Sequence, residues 1–312
     1  MFLRNSAILG RRLQSREGVC LPGDVLNFDY FFVYNTTENP MKNFFTKLVL
    51  YVILFIGLSL LLYPSFADWW NSYHSSQAIA NYSEQVANMD DDRYSYLWDH
   101  AWDYNQSLLE RPNNYILTDK QKLEYEDLLD ISGNGIMGYV EIPHLDIVLP
   151  VYHGTNEAVL QIAVGHLEWT SLPVGGKNSH CVISGHRGLP SARLFTDLDK
   201  MSEGDVFLLR VLDEVLTYEV DQIRIVEPTD VQDLLIQEGE DLCTLITCTP
   251  YGINSHRLLV RGHRIANIEE AKVVRVTADA LQIEPVMIAP LLAAPLLLIL
   301  LIMLMIPKKR RN

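Results

Sequence analysis

Cys248 and Arg257 are the residues whose types and spacing most directly describe a chemistry. They lie in TLITCTPYGINSHRLLVRG, which runs from Thr244 to Gly262. LCTLITC reads as a strand ending on the cysteine, and Pro250, Gly252 and Asn254 supply a turn. HRLLVRG then returns antiparallel, so Arg257 lands beside Cys248. A thiol and a guanidinium on one rim pair a nucleophile with a donor for a developing oxyanion. The pair is incomplete, because a free thiol is mostly protonated at neutral pH and needs an imidazole or another positive group to react well.

The chain holds nine histidines that compete for that part. His186 stands in SGHRGLP, where the strand-like HCVIS enters a loop flanked by Gly185 and Gly188 that leaves room for a substrate backbone. His256 is the rival, but neighbours on a strand face opposite ways, so it points away if Arg257 faces the cysteine. His74, His100, His144, His153, His166, His180 and His263 lie in contexts without a partner pattern and read as structural or solvated. Arg261 shares the strand parity of Arg257 and is the alternative arginine. Arg187, beside the histidine, is expected to face solvent or a carboxylate.

The other thiols do not form a site with Cys248. Cys243 and Cys248 are five apart on one strand, so their side chains take opposite faces and cannot share a metal. Cys181, within HCVIS, reads as a small buried hydrophobe. Cys20 falls in a segment expected to be cytoplasmic, which leaves an odd number of thiols outside and at least one of them free.

Two uncharged apolar blocks bracket these residues. Leu48 to Ala67 and Pro285 to Ile306 each approach the ~20 residues that cross a ~30 Å hydrocarbon layer. Residues 1–47 and the tail after the second block are basic, whereas residues 68–284 carry 15 basic against 35 acidic side chains. Basic flanks stay in the cytoplasm, which puts the acidic middle outside and argues against nucleic acid as a partner. MKNFFTKLVLYV has the form of a signal anchor, so residues 1–40 are read as uninformative and Met41 as a possible start. Ser65-Phe66-Ala67 is a small-x-small site for a signal peptidase.

The chain thus divides into a cytoplasmic segment (1–47), a first span (48–67), a helical extension (68–134), a β-barrel (135–266), a juxtamembrane segment (267–284), a second span (285–306) and a basic tail (307–312). In the extension, NYSEQVANM and TDKQKLEYEDLL have helical spacing, with Thr118 and Asp119 as N-caps. From Gly135 onward short apolar runs alternate with Gly, Pro and Asn: IMGYVEI, IVLPVY, HCVISG, DVFLLRVL, VLTYEVDQIRIV, LCTLITC and HRLLVRG. Such runs predict a closed β-barrel or sandwich, with a hairpin at Asp213-Glu214 and a Gly-Gly turn in PVGGKNSH.

TLITCTPYGINSHRLLVRG, VGHLEWTSLPVGGKNSHCVISGHRGLPSARLFTDLDKMSEGDVF and MGYVEIPHLDIVLPVYHGT together resemble the sortases, and specifically the class C, pilin-polymerising branch. The similarity spans roughly Gly135 to Ile265. It implies an eight-stranded sortase-type barrel with a helical N-terminal extension, flanked by two transmembrane helices, outside a Gram-positive membrane. By the same resemblance Cys248, His186 and Arg257 are the catalytic residues. The implied reaction cleaves an LPxTG-like motif between Thr and Gly and passes the acyl group to a pilin lysine. Two alternatives stay open: anchoring of surface proteins to peptidoglycan, and a non-catalytic assembly module.

Many class C sortases carry a lid built on an Asp-Pro-aromatic motif, and this chain has no Asp-Pro. Trp98 and Trp102, at helical spacing in YLWDHAWDYNQ, are the lid candidates, although packing against the barrel is the plainer reading. No cofactor or metal is implied: Asp90, Asp91 and Asp92 lack the alternating oxygens of a calcium loop and read as a solvated turn or helix start.

Overall fold

The computed structural model describes residues 40–110 and 116–267. Residues 1–39 of the expected cytoplasmic segment, the expected juxtamembrane residues from 268, the expected second span and the expected tail lie outside the described residues. The chain clusters into two units, 1–56 and 57–312, and the barrel with the helix residues packed on it belongs to the second.

Helix α1 (Pro40–Ala87) carries Pro64 within it and covers both the expected first span and the NYSEQVA segment, so no break separates them. Among the described residues it is the one helix long and apolar enough to cross a membrane. Its later part is amphipathic: Ser75, Ile79 and Tyr82 form a buried stripe at 3–4 spacing. Helix α2 (Asp91–Glu110) begins at the acidic cluster, where Asp90 accepts a hydrogen bond from the Arg93 amide at 2.7 Å. Helix α3 (Asp119–Asp127) starts at Thr118 with a reciprocal capping box to Gln121.

Eight strands follow: β1 (Ile136–Ile142), β2 (Ile147–His153), β3 (Val164–His166), β4 (Ser179–Ser184), β5 (Val206–Val211), β6 (Glu214–Val226), β7 (Asp241–Thr249) and β8 (His256–Ile265). They close into a barrel in the order β1-β2-β3-β4-β7-β8-β6-β5, with β1 and β5 completing the circle. The joints β2/β3 and β4/β7 are parallel and the others antiparallel. The interior is filled by alternate residues, among them Val140, Ile183, Phe207, Tyr218, Leu245 and Val260. Helices α1 to α3 lay Ile79, Tyr82, Leu97, Ala101 and Tyr125 into one cluster with Ile136, Met137, Leu172 and Val211, and Tyr125 reaches His153 and His166 at the ends of β2 and β3. A third cluster covers the outer face of β4, β7 and β8 with Val182, Leu234, Ile246 and Leu259.

Two details differ from the sequence expectations. Strand β3 is only three residues long and lacks a run of its own in the sequence pattern. The β5/β6 hairpin pairs Val211 with Glu214, so its turn is Leu212-Asp213, one residue early. Leu212 takes φ 54°, an uncommon choice for a leucine. The position is held by tertiary contact: its side chain is buried, and its amide donates to the Tyr82 hydroxyl at 2.8 Å.

Candidate active site

Cys248 is the penultimate residue of β7 and lies on the outer face of the barrel. Alternation along β7 sends Cys243 and Leu245 into the interior cluster, while Ile246 belongs to the outer one. Cys248 continues the outer row and is half-buried, because the covering layer gives out there. Strand β8 returns with Cys248 opposite Arg257. Directly paired residues of antiparallel strands have Cα atoms about 4.5–5.5 Å apart and side chains on one face. Leu258 and Val260 point inward and Leu259 outward, so Arg257 shares the outer face with the cysteine.

His186 arrives from the other side of β7. Strand β4 runs parallel to β7 with Ser184 paired to Ile246. The register continues past the strand end: the Gly185 amide donates to Ile246 O at 3.0 Å, and the Thr247 hydroxyl donates to Gly185 O at 2.8 Å. A Cβ on Gly185 would sit 2.7 Å from Phe195 and 2.8 Å from Val164, both interior residues, so this position faces inward and His186 faces out. Two residues beyond Ser184, His186 stands at the level of Cys248. The three groups thus converge on one end of the outer face of β4, β7 and β8.

The loops around them are tied together. The Phe195 amide donates to His186 O at 3.1 Å, and the Gly188 amide donates to the Thr196 hydroxyl at 3.1 Å. Gly188 has φ +76°, and a Cβ there would meet the Tyr251 ring at 2.8 Å, so the loop after the histidine rests on the loop after the cysteine. Arg187 reinforces that contact. It pairs with Asp199, donates to the Thr249 hydroxyl at 3.4 Å and lies 5.9 Å from the Tyr251 ring centroid. Solvent or a carboxylate was expected for Arg187; its burial and its bridge to Thr249 were not, and the DLDK run that supplies Asp199 is their sole trace in the sequence.

Arg257 donates to Asn254 O and His256 O at 3.3 and 3.1 Å, so its own turn carbonyls orient the guanidinium. Arg261, the alternative, is occupied: it grips Asp221 with two bonds of 3.0 and 2.8 Å and pairs with Thr244, four residues down β7 from Cys248. His256 is exposed, sits opposite Thr249 and contacts Ser255 at 2.8 Å, off the face of the cysteine. His180 lies on the same outer row but is buried, with its ring nitrogens bonded to Leu235 O and the Thr244 hydroxyl; burial pushes its pKa down to about 4 and keeps it neutral. Cys181 and Cys243 are buried register partners in the barrel interior, where burial and then the neighbouring Cys181 hold the Cys243 thiol protonated. No group of three or more His, Cys, Asp or Glu suited to a metal occurs among the described residues.

Trp98 and Trp102 are not near this end. Trp102 packs on Gly176, where an added Cβ would come within 2.6 Å of its ring, and the Gly176 amide donates to Asp241 at the start of β7. Trp98 stacks on Tyr94 at 6.3 Å, and Tyr94 bonds Asp213 in the β5/β6 turn. Seven residues of β7, about 23 Å, separate Asp241 from Cys248. Trp98 and Trp102, the lid candidates, thus pack at the end of the barrel remote from Cys248.

Comparison with known proteins agrees with this architecture. A family model described as Sortase domain matches residues 140–265. Sortase D of Bacillus subtilis is 29% identical over 131 residues, an alignment covering 41% of this chain and 63% of that protein. The crystal structure of sortase C1 from Streptococcus agalactiae superposes with a TM-score of 0.60 at 49% identity, covering 62% of this chain and all of that one. Sortase C of Clostridium perfringens, solved with the C-terminal cell wall sorting motif, gives a TM-score of 0.55 at 42% identity, covering 61% of this chain and 99% of that one. With 49% of the aligned residues identical over the full length of a solved class C structure, and with the barrel those residues build, this chain belongs to the sortase family, on its class C branch.

Proposed function

We propose that the chain is a cysteine transpeptidase that cleaves an LPxTG-like sorting motif between Thr and Gly and transfers the acyl group to a lysine amine of a pilin subunit. The observation that carries this reading is the convergence of Cys248, His186 and Arg257 on one end of one sheet face. The Cys248 thiolate attacks the Thr carbonyl carbon, and Arg257 donates to the oxyanion that forms. As the C–N bond breaks, His186 gives its proton to the departing Gly amine, leaving a thioester on Cys248. The lysine amine then attacks the thioester, His186 takes the proton, and the C–S bond breaks to release an isopeptide. The choice of a pilin lysine rests on the class C relatives.

The same reading makes residues 48–67 and 285–306 membrane spans, with the barrel on the extracellular side. The test is to incubate the full chain in detergent with an LPxTG-type peptide and a lysine-bearing pilin acceptor. Intact mass should show one adduct ending at Thr, placed on Cys248 by peptide mapping and absent from Cys248→Ala. An adduct on another cysteine, or none, would overturn the proposal. A product formed only with a peptidoglycan amine would replace the pilin acceptor.

A further inference from the structure

We infer that the barrel presents its reactive end to the bilayer surface, with Phe66, Trp69, Trp70 and Tyr73 of α1 seated at the level of the phospholipid headgroups. This rests on the reading of residues 48–67 as a membrane span. It adds a direction that the reading does not contain.

Helix α1 is pinned to the barrel at two heights. At one, the Arg193 amide donates to Asp68 at 2.7 Å and Asn71 donates to Ser191 O at 2.8 Å, both in the loop that follows His186. At the other, Tyr82 donates to Met137 O at 2.9 Å and accepts from the Leu212 amide at 2.8 Å. Leu212 lies in the β5/β6 turn, and β6 beginning there pairs with the β8 residues that lead to Leu242, so this second height is the end of the barrel remote from Cys248. Eleven residues of helix, about 16 Å, separate Asn71 from Tyr82. Travelling from N to C terminus, α1 therefore runs from the reactive end to the far end. The apolar residues before Asp68 lead outward past the reactive end.

What covers those residues is written in their chemistry. From Gly57 to Ala67 the helix has no charged group, and Leu60 and Leu61 are 70% and 74% exposed. An aromatic collar follows at once: Phe66, Trp69, Trp70 and Tyr73 are in mutual ring contact at 5.8–6.4 Å and all lie open on the helix. Tryptophan and tyrosine at the end of an uncharged helix mark the membrane–water boundary, where an apolar ring body and a polar N–H or O–H are both satisfied. A protein partner would not require the collar to be continuous with an apolar run. Because Asp68 and Asn71 sit within the collar and hold the loop after His186, that loop is fixed at the same depth. The end carrying Cys248 is then set to receive an extended peptide just as it emerges from the bilayer.

The experiment uses the full chain carrying Cys20→Ser and Cys248→Ala, reconstituted into phosphatidylcholine and phosphatidylglycerol vesicles. A single fluorophore is placed on Ile253→Cys at the reactive end or on Lys177→Cys at the far end. Both positions are exposed, and the remaining cysteines are buried. With an acceptor dye on the lipid headgroups and ends about 23 Å apart, energy transfer should be about twofold higher from position 253 than from 177. Equal or reversed transfer overturns the orientation. Failure of the chain to float with vesicles overturns the membrane reading itself, whereas the peptide-adduct assay tests the chemistry separately. Trp69→Ser with Trp70→Ser should lower transfer from position 253 toward that from 177; unchanged transfer would remove the collar from the proposal.

Discussion

At the scale of single residues, Arg257 and Arg261 make a test pair, since they share a strand face and differ in what they hold. Arg257 touches only carbonyls of its own turn, whereas Arg261 is locked to Asp221. Arg257→Gln should lower the rate of thioester formation by about 10²–10³, as for loss of an oxyanion donor, with the denaturation midpoint unchanged. Arg261→Gln should do the reverse, losing stability through the uncompensated Asp221. Stopped-flow acylation and urea unfolding separate the two. His180 supplies a pH prediction. Its folded pKa of about 4 lies below the ordinary histidine value near 6.5, so the unfolded state takes up the proton first. Its contribution is full above about pH 6.5, is lost as the pH falls toward 4, and totals about 3 kcal/mol. His153, also lowered by burial, acts in the same sense, and Asp241, raised by burial, opposes both. His180→Gln should flatten this part of the stability profile, as read by unfolding from pH 7 to 4.

Among the elements, β4 and β7 matter most, because their parallel joint brings the histidine to the cysteine. Gly185 is the point where that joint leaves no room. Gly185→Ala would press a methyl against Phe195 and Val164 and should cost about 1–3 kcal/mol of stability. It should also slow acylation more than Arg261→Gln does, because His186 is the next residue. Denaturation and single-turnover acylation, run side by side, measure both. The β7/β8 hairpin was legible in the sequence, since a strand, a turn and a returning strand with period-2 alternation leave a local pattern, and Cys248 and Arg257 came with it. The β4/β7 joint was not, because its partners are some sixty residues apart and parallel pairing has no turn to announce it. Strand β3 was missed because three residues are too few for a period. The Leu212 turn was misplaced because its left-handed backbone is fixed by Tyr82, far away in the chain, and not by a glycine.

For the molecule as a whole, α1 and the barrel are joined through few polar contacts, and Tyr82 makes two of them. Tyr82→Phe leaves the buried Leu212 amide without its acceptor and should cost about 1–3 kcal/mol. Limited proteolysis should then cut within α1 sooner than in the unaltered protein, while the barrel fragment persists. The closure of the barrel carries a consequence of a different kind. With β1 bonded to β5, none of the eight strands is an edge along its whole length. An extended peptide therefore finds no full-length edge to extend as a ninth strand, the mode that reads main-chain spacing and tolerates many sequences. Side chains and loop amides on the barrel surface are then the larger part of what such a peptide meets. The same closure leaves stray chains no full-length template on which to grow.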